Sequence, residues 1–407
     1  MSKSVKRNIP EHAMPPSEID ASRLPPLGMP PAQFLRDYWQ KKPLLIRNAF
    51  PGFVSPIAPE DLAGLACEDG VLARIIQHDR ARDAWSVRHG PFAEDEFPGL
   101  PDHDWTLLVQ DVDKWDADIR GLLDAFAFLP RWRIDDVMVS FAARGGSVGA
   151  HVDQYDVFLL QAQGQRRWQI DVAANPPTAF RDDVELKLLR DFTPSHEWVL
   201  GPGDMLYLPP GLPHHGVAEE ACLTFSVGMR APSAAELLGD FIDTLAADAP
   251  EELRLRDPDL APAKDPYQID AAAMARVVDA LNLLRMRNPD ALGDWFGGFI
   301  TTYRSAVEPA PDDAPRPRIE VEWDLAHGAT LQRHPWSRMA WRKAAKAARL
   351  YAGGRVLVLP ERDARRLAAA GAVDGGLYET LSQTGRDAVC DLLEAGHYRL
   401  WMEDADA

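Results

Sequence analysis

The chain has 407 residues, 46% apolar and 26% charged, with a formal net charge of -18 and a pI near 5.0. That length exceeds one ordinary core and predicts two or three domains, and the composition is globular rather than disordered. The acidic balance disfavours general nucleic-acid binding and suits a basic partner. Three widely spaced cysteines, Cys67, Cys222 and Cys390, form neither a disulfide framework nor a zinc knuckle, and they fit a reducing compartment. Residues 1–31 hold Lys3, Lys6, Arg7 and several prolines but no apolar core of a signal peptide. No run of about eighteen apolar residues is present to span a membrane. The expected location is the cytoplasm.

Residues 1–30 are rich in proline and polar residues and are expected to form a leader, poorly ordered at its start. From Pro31 the residues Phe34, Leu35, Tyr38 and Trp39 have helical spacing, and a proline-led strand follows at Leu44-Leu45-Ile46. A helix opens at Pro59-Glu60-Asp61. Short strands broken by Gly and Pro fill 67–115, and 116–129 read as helical. Strands then dominate: Val137 to Phe141, Tyr155 to Gln161, Arg167 to Ile170 and Cys222 to Met229. Glu197 to Leu200 is expected to pair with Met205 to Leu208 across Gly201-Pro202-Gly203-Asp204. Many short strands between Gly/Pro turns predict a sandwich or barrel.

At Pro232 the character changes. Ser233-Ala234-Ala235-Glu236 is a capping box that opens a helix running to about Ala247. Residues 270–306 carry Met274, Val277, Val278, Leu281, Leu284, Leu292, Trp295, Phe296 and Phe299 at helical spacing. Pro309, Pro311, Pro315 and Pro317 mark a linker. Beyond it, strands are predicted near Ile319–Trp323 and Arg355–Leu359, helices near Glu361–Ala370 and Gly385–Ala395, and a last strand near Tyr398–Met402.

The chemistry concentrates in His151-Val152-Asp153 and Pro209-Pro210-Gly211-Leu212-Pro213-His214-His215-Gly216. On a strand, residues two apart share a face, so His151 and Asp153 can both point inward. The glycine loop 145–149 delivers the first segment, and a rigid Pro-Gly corner aims the second. Two histidines and a carboxylate on one face of a metal form the ligand set of non-haem Fe(II) oxygenases. His214 and His215 compete for the third position, since neighbours on an extended segment cannot both point inward. The remaining histidines, His12, His78, His89, His103, His196, His327, His334 and His397, read as surface or structural. Arg166 shares parity with Trp168 and Ile170 and so falls on an apolar face. A buried guanidinium needs an anionic partner, and one end of a dicarboxylate such as 2-oxoglutarate suits it. Thr224 and Ser226 share a face of the closing strand and, with Ser140, could add hydroxyl contacts.

Three runs resemble the bacterial JmjC-type ribosomal oxygenases: Gly149 to Phe158, Gly164-Gln165-Arg166-Arg167-Trp168, and Gly203 to His214. Phe225 to Pro232 and the segment Phe34 to Phe50 are similar as well. The resemblance implies an α+β fold with a mainly β core. That core is a double-stranded β-helix of the cupin/JmjC jelly-roll kind, followed by helices and a winged-helix-like domain. It implies a leader at 1–30, a catalytic domain at 31–232, a helical dimerisation segment at 233–309, a linker at 310–318 and the winged-helix-like domain at 319–407. Position by position, it assigns Fe(II) to His151, Asp153 and His214 and the cosubstrate 2-oxoglutarate to Arg166, with O2 as the second cosubstrate. Where family members commonly follow the ligand histidine with glutamate, this chain has His215. The activity implied is C3 hydroxylation of an arginine in a basic large-subunit ribosomal protein, by a homodimer. Asp156 and Tyr155, beside the ligands, are candidates for substrate contact. The basic residues of 333–366 read as a solvated or partner-binding face rather than a DNA-binding one. An oxygenase for another protein or RNA target, or a non-catalytic cupin sensor with a DNA-binding C-terminal module, is the alternative.

Overall fold

Strands dominate the first of the two units into which the chain divides, Met1–Ala231, and helices with small sheets make up the second, Pro232–Ala407. The computed structural model describes residues 17–247, 249–258, 260, 262, 267–282, 289–311 and 316–402. Residues 1–16 of the expected leader with His12, the apolar position Leu284 and residues 312–315 of the expected linker lie outside the described residues.

The first unit runs β1 (Ser17–Asp20), α1 (Pro31–Asp37), β2 (Leu44–Arg47), α2 (Pro59–Leu65), β3 (Ala73–Asp79), β4 (Ala84–His89), β5 (Trp105–Val109), α3 (Val112–Trp115), α4 (Ala117–Gly121) and β6 (Ile134–Ala142). It continues with β7 (His151–Val152), β8 (Val157–Gln163), β9 (Arg166–Ile170), β10 (His196–Leu200), β11 (Met205–Leu208), β12 (Pro213–Ala218) and β13 (Cys222–Met229). One sheet has the order β1-β2-β11-β8-β13-β6-β5-β3-β4, the other β10-β9-β12-β7.

Alternation along β8 sorts the layers. Phe158, Leu160 and Ala162 join Phe34, Leu62 and Val109 in the core beneath the large sheet. Val157 and Leu159 face the other way and meet Trp168, Ile170 and Leu200 of the small sheet. The small sheet therefore closes over the middle of the large one, which is the expected double-stranded β-helix.

Three expectations differ from the structure. Residues 17–30 are not a leader: β1 pairs in parallel with β2, and Ala21, Leu27 and Met29 are buried in the core. The edge of β2 offers backbone groups that β1 satisfies, so the domain extends before residue 31. Glu197–Leu200 and Met205–Leu208 do not form a hairpin. β10 pairs with β9 in the small sheet, while β11 pairs with β2 and β8 in the large one. The turn between them is a corner where the chain changes sheets. It is pinned by the Asp204 carboxylate, which accepts from Gly201 N (3.1 Å), Asn48 N (3.1 Å) and Arg47 Nη1 (2.7 Å).

The second unit runs α5 (Ala234–Ala247), α6 (Ala271–Leu281), α7 (Pro289–Thr302), α8 (Arg318–Ala326), β14 (Thr330–Arg333), β15 (Met339–Lys343), β16 (Ala348–Ala352) and β17 (Arg355–Leu359). It ends with α9 (Glu361–Ala369), β18 (Ala372–Val373), α10 (Gly375–Glu379), α11 (Gln383–Glu394) and β19 (Tyr398–Trp401). The capping box forms as read: Ser233 N donates to Glu236 Oε2 (2.7 Å) and Glu236 N to Ser233 Oγ (3.1 Å). The third difference is α8, expected as a strand from the alternation Ile319-Glu320-Val321-Glu322-Trp323. As a helix it buries Val321 and Leu325 together, one turn apart. Each is worth about 2 kcal/mol, which outweighs a strand preference spanning about 1 kcal/mol. Among the described residues no helix is long and apolar enough to cross a membrane.

Candidate metal centre

β12 lies between β7 and β9, and this places His214 opposite His151 on one side and Ile170 on the other. The glycine loop is bonded to the same strand: Gly145 N donates to Ala218 O (2.8 Å) and Ala218 N to Gly146 O (3.0 Å). Gly149 takes a φ of +78°, and a Cβ there would lie 2.6 Å from Leu188 Cδ2. The Pro-Gly corner is joined to the other ligand segment, since Gly211 N donates to Asp153 O (2.7 Å).

One ligand atom from each of His151, Asp153 and His214 lies within 4.8 Å of the others. His214 Nε2 is 3.6 Å and His151 Nε2 3.9 Å from the Asp153 carboxylate. His151 Nδ1 faces Gly149 O and His214 Nδ1 faces Leu212 O, each at 3.0 Å. A carbonyl only accepts, so each Nδ1 carries the hydrogen and each Nε2 keeps its lone pair toward Asp153. That is how metal-binding imidazoles are held. Burial, and then His151 beside it, keeps His214 below the usual imidazole value, so it is neutral at physiological pH. Two imidazoles and a carboxylate crowded on one side are a donor set that fits Fe(II). His215 lies on the opposite face of β12 and is not in the cluster; its Nε2 is 3.0 Å from Ser147 Oγ.

Arg166 is only 3% exposed. Its Nη2 donates to Gly216 O (3.3 Å), its Nε has no partner, and its guanidinium stands 5.0 Å from the Trp168 ring centroid. No carboxylate among the described residues pairs with it. An uncompensated buried cation is costly and fits a site for an anion. Space for the guanidinium depends on Gly216, where a Cβ would come within 2.7 Å of Arg166 Nε and of the Trp168 ring.

Thr224 and Ser140 are buried cross-strand partners on β13 and β6. Their neighbours Leu223, Phe225 and Val139 face the outer core, so both hydroxyls point into the barrel. Each is already engaged: Thr224 Oγ1 donates to Gln161 Oε1 (3.1 Å) and Ser140 Oγ to Thr224 O (3.4 Å). Gln161, Cys222 and Gly216 were not singled out in the sequence. The parity that marks Thr224 also places Cys222 inside, and the parity of Arg166 finds Gly216 through its register with Trp168.

Asp156 does not face this space. It is fully buried and accepts from Tyr207 Oη (2.6 Å), Gln40 Nε2 (2.8 Å) and Arg133 Nη2 (3.4 Å), so it braces β8 against the core. Tyr155 keeps part of its ring in solvent, while burial and then Asp153 and Asp136 push its phenol up. Asp136 itself is raised to about 7 by burial, then by the charges of Asp111 and Asp135; Asp111 N donates to it at 3.0 Å.

Residues 121–237 match the JmjC domain model, and 283–399 match the ROXA-like winged helix model. The chain is 37% identical over 300 residues to the ribosomal protein uL16 3-hydroxylase of Escherichia coli K12, covering 74% of this chain and 79% of that protein. It is 27% identical over 263 residues to ribosomal oxygenase 2 of Rattus norvegicus, covering 59% and 54%. A structure of the ribosomal oxygenase YcfD from Escherichia coli, in complex with cobalt and 2-oxoglutarate, superposes with a TM-score of 0.78 at 32% identity, over 92% of this chain and 99% of that one.

Gly216→Ala is expected to displace the Arg166 guanidinium and weaken binding of a dicarboxylate by about tenfold or more, the worth of one charge-assisted bond. Calorimetry with 2-oxoglutarate on the Mn(II)-loaded protein checks it, with unchanged affinity as the contrary result.

Proposed function

The chain belongs to the JmjC-type ribosomal oxygenases, and on that premise we propose that it is an Fe(II)- and 2-oxoglutarate-dependent hydroxylase acting at C3 of an arginine in a large-subunit ribosomal protein. The observation that carries the reading is Arg166: a buried, unpaired guanidinium inside the same barrel as a histidine-carboxylate-histidine cluster. When bound, the metal couples oxidative decarboxylation of 2-oxoglutarate by O2, giving succinate and CO2, to insertion of one oxygen atom into a C–H bond.

The chain's own residues do the rest. His151, Asp153 and His214 would hold the metal. Arg166 takes the far carboxylate of 2-oxoglutarate, with Thr224 and Ser140 lining the cavity beside it. Trp168, Ile170, Val157 and Leu159 exclude water around them. Asp136, near enough to act on the Tyr155 phenol, supplies a negative charge for a cationic side chain, and Tyr155 is partly exposed beside Asp153. Residues 31–232, extended by β1, act as the catalytic domain, and 319–407 as a partner-contacting winged helix. A ribosomal substrate supports a cytoplasmic location.

A homodimer through 233–309 is supported by apolar side chains that no described residue of the second unit covers. Leu238 and Ile242 of α5 and Met274, Val278 and Leu281 of α6 are more than half exposed, and neither helix has a buried residue.

Incubation with Fe(II), 2-oxoglutarate and ribosomal proteins should release succinate and add the mass of one oxygen atom to one of them. His151→Ala should abolish both while leaving the fold; wild-type turnover in that variant would contradict the ligand assignment. Asp136 is protonated below about pH 7 and ionised above it. The KM for a basic peptide should therefore fall as pH rises through 7, and Asp136→Asn should flatten that profile. Leu238→Asp with Val278→Asp should give monomers in sedimentation, and a dimer that persists would refute the interface.

A further inference from the structure

Ser147 Oγ sits where three hydrogen bonds meet. It lies 2.7 Å from Gly216 O, 3.0 Å from Gly149 N and 3.0 Å from His215 Nε2. A hydroxyl has one hydrogen and two lone pairs. Gly216 O can only accept, so it takes the hydrogen, and Gly149 N–H occupies one lone pair. The remaining lone pair faces His215, which therefore carries its hydrogen on Nε2 and donates it.

Both ends of this arrangement lead to the site. Gly216 O also accepts from Arg166 Nη2 (3.3 Å), and Gly149 O accepts from His151 Nδ1 (3.0 Å). Ser147 stands opposite Val217 as an isolated bridge, so one side chain ties the loop that delivers His151 to the strand that carries His214. The surroundings are closed. Ser147 is buried, the Phe192 ring stands edge-on to His215 at 6.1 Å, and Leu189 N donates to Ala150 O (2.8 Å).

We propose that His215 is a positioning residue: through Ser147 it sets the orientation of His151 toward the metal and of Arg166 toward the dicarboxylate. The inference rests on the oxygenase reading and deepens it. His215 touches neither group. It completes the donor set of Ser147, which keeps the Ser147 hydrogen on Gly216 O and the Gly149 peptide in register. A glutamine can donate from the place of Nε2.

The test measures affinity rather than turnover alone, by calorimetry of Mn(II) binding and then of 2-oxoglutarate binding to the full chain. Ser147→Ala and His215→Phe should retain the fold by circular dichroism and lose roughly tenfold or more in both affinities, as removal of an outer hydrogen-bond partner does at metal sites. His215→Gln and Ser147→Thr should restore binding. Wild-type affinities in His215→Phe would overturn the proposal, as would equal losses in His215→Phe and His215→Gln, which mark a packing role. If Ser147→Ala does not fold, His215→Phe and His215→Gln decide alone. A wild-type protein that binds neither ligand overturns both this inference and the reading beneath it.

Discussion

A single guanidinium sits where a guanidinium should not be. Arg166 lies inside the barrel without a carboxylate partner among the described residues, and its Nε is bonded to nothing. Much of the interior serves this one charge. Gly216 leaves room for it, Trp168 gives it a ring face, and Gly216 O accepts a hydrogen bond from it. Under the proposed function a bound dicarboxylate would cancel that uncompensated charge, so affinity for the cosubstrate would be prepared by folding itself. The same charge would orient that molecule, leaving its other end for the histidine cluster.

The cluster follows a second rule, that backbone carbonyls choose imidazole tautomers. Gly149 O and Leu212 O each stand two residues before a histidine and take its Nδ1 hydrogen. Both carbonyls belong to turns whose shape depends on positive-φ glycines, Gly149 and Gly211. The ligand lone pairs are thus set by local backbone geometry, while their convergence is set by the β7–β12 register.

Much of the site was legible because strand alternation is a local rule. His151 with Asp153, and Arg166 with Trp168, declare a shared face from two residues each. His214 and His215 could not be separated that way, because parity alone does not say which face is inner; pairing with His151 and Ile170 decides it. Asp156 was misjudged for a related reason, since its neighbours suggest the site but its partners Tyr207, Gln40 and Arg133 come from distant segments. The corner at Gly201–Asp204 looks like a hairpin turn in sequence, and only Arg47 and Asn48, about 155 residues earlier, show otherwise. The segment at α8 alternates like a strand and is helical because Val321 and Leu325 must enter the same core.

That corner has a structural consequence. Because the chain changes sheets between β10 and β11, the metal-side residues His151, Arg166 and His214 all belong to the small sheet, while Asp136, Ser140 and Thr224 belong to the large one. The cavity is therefore built from two separately paired sheets, one carrying the histidines and Arg166 and the other the hydroxyls beside them. Substitution on β6 or β13 can reshape that cavity while the β7–β12 register that brings His151 to His214 stays intact.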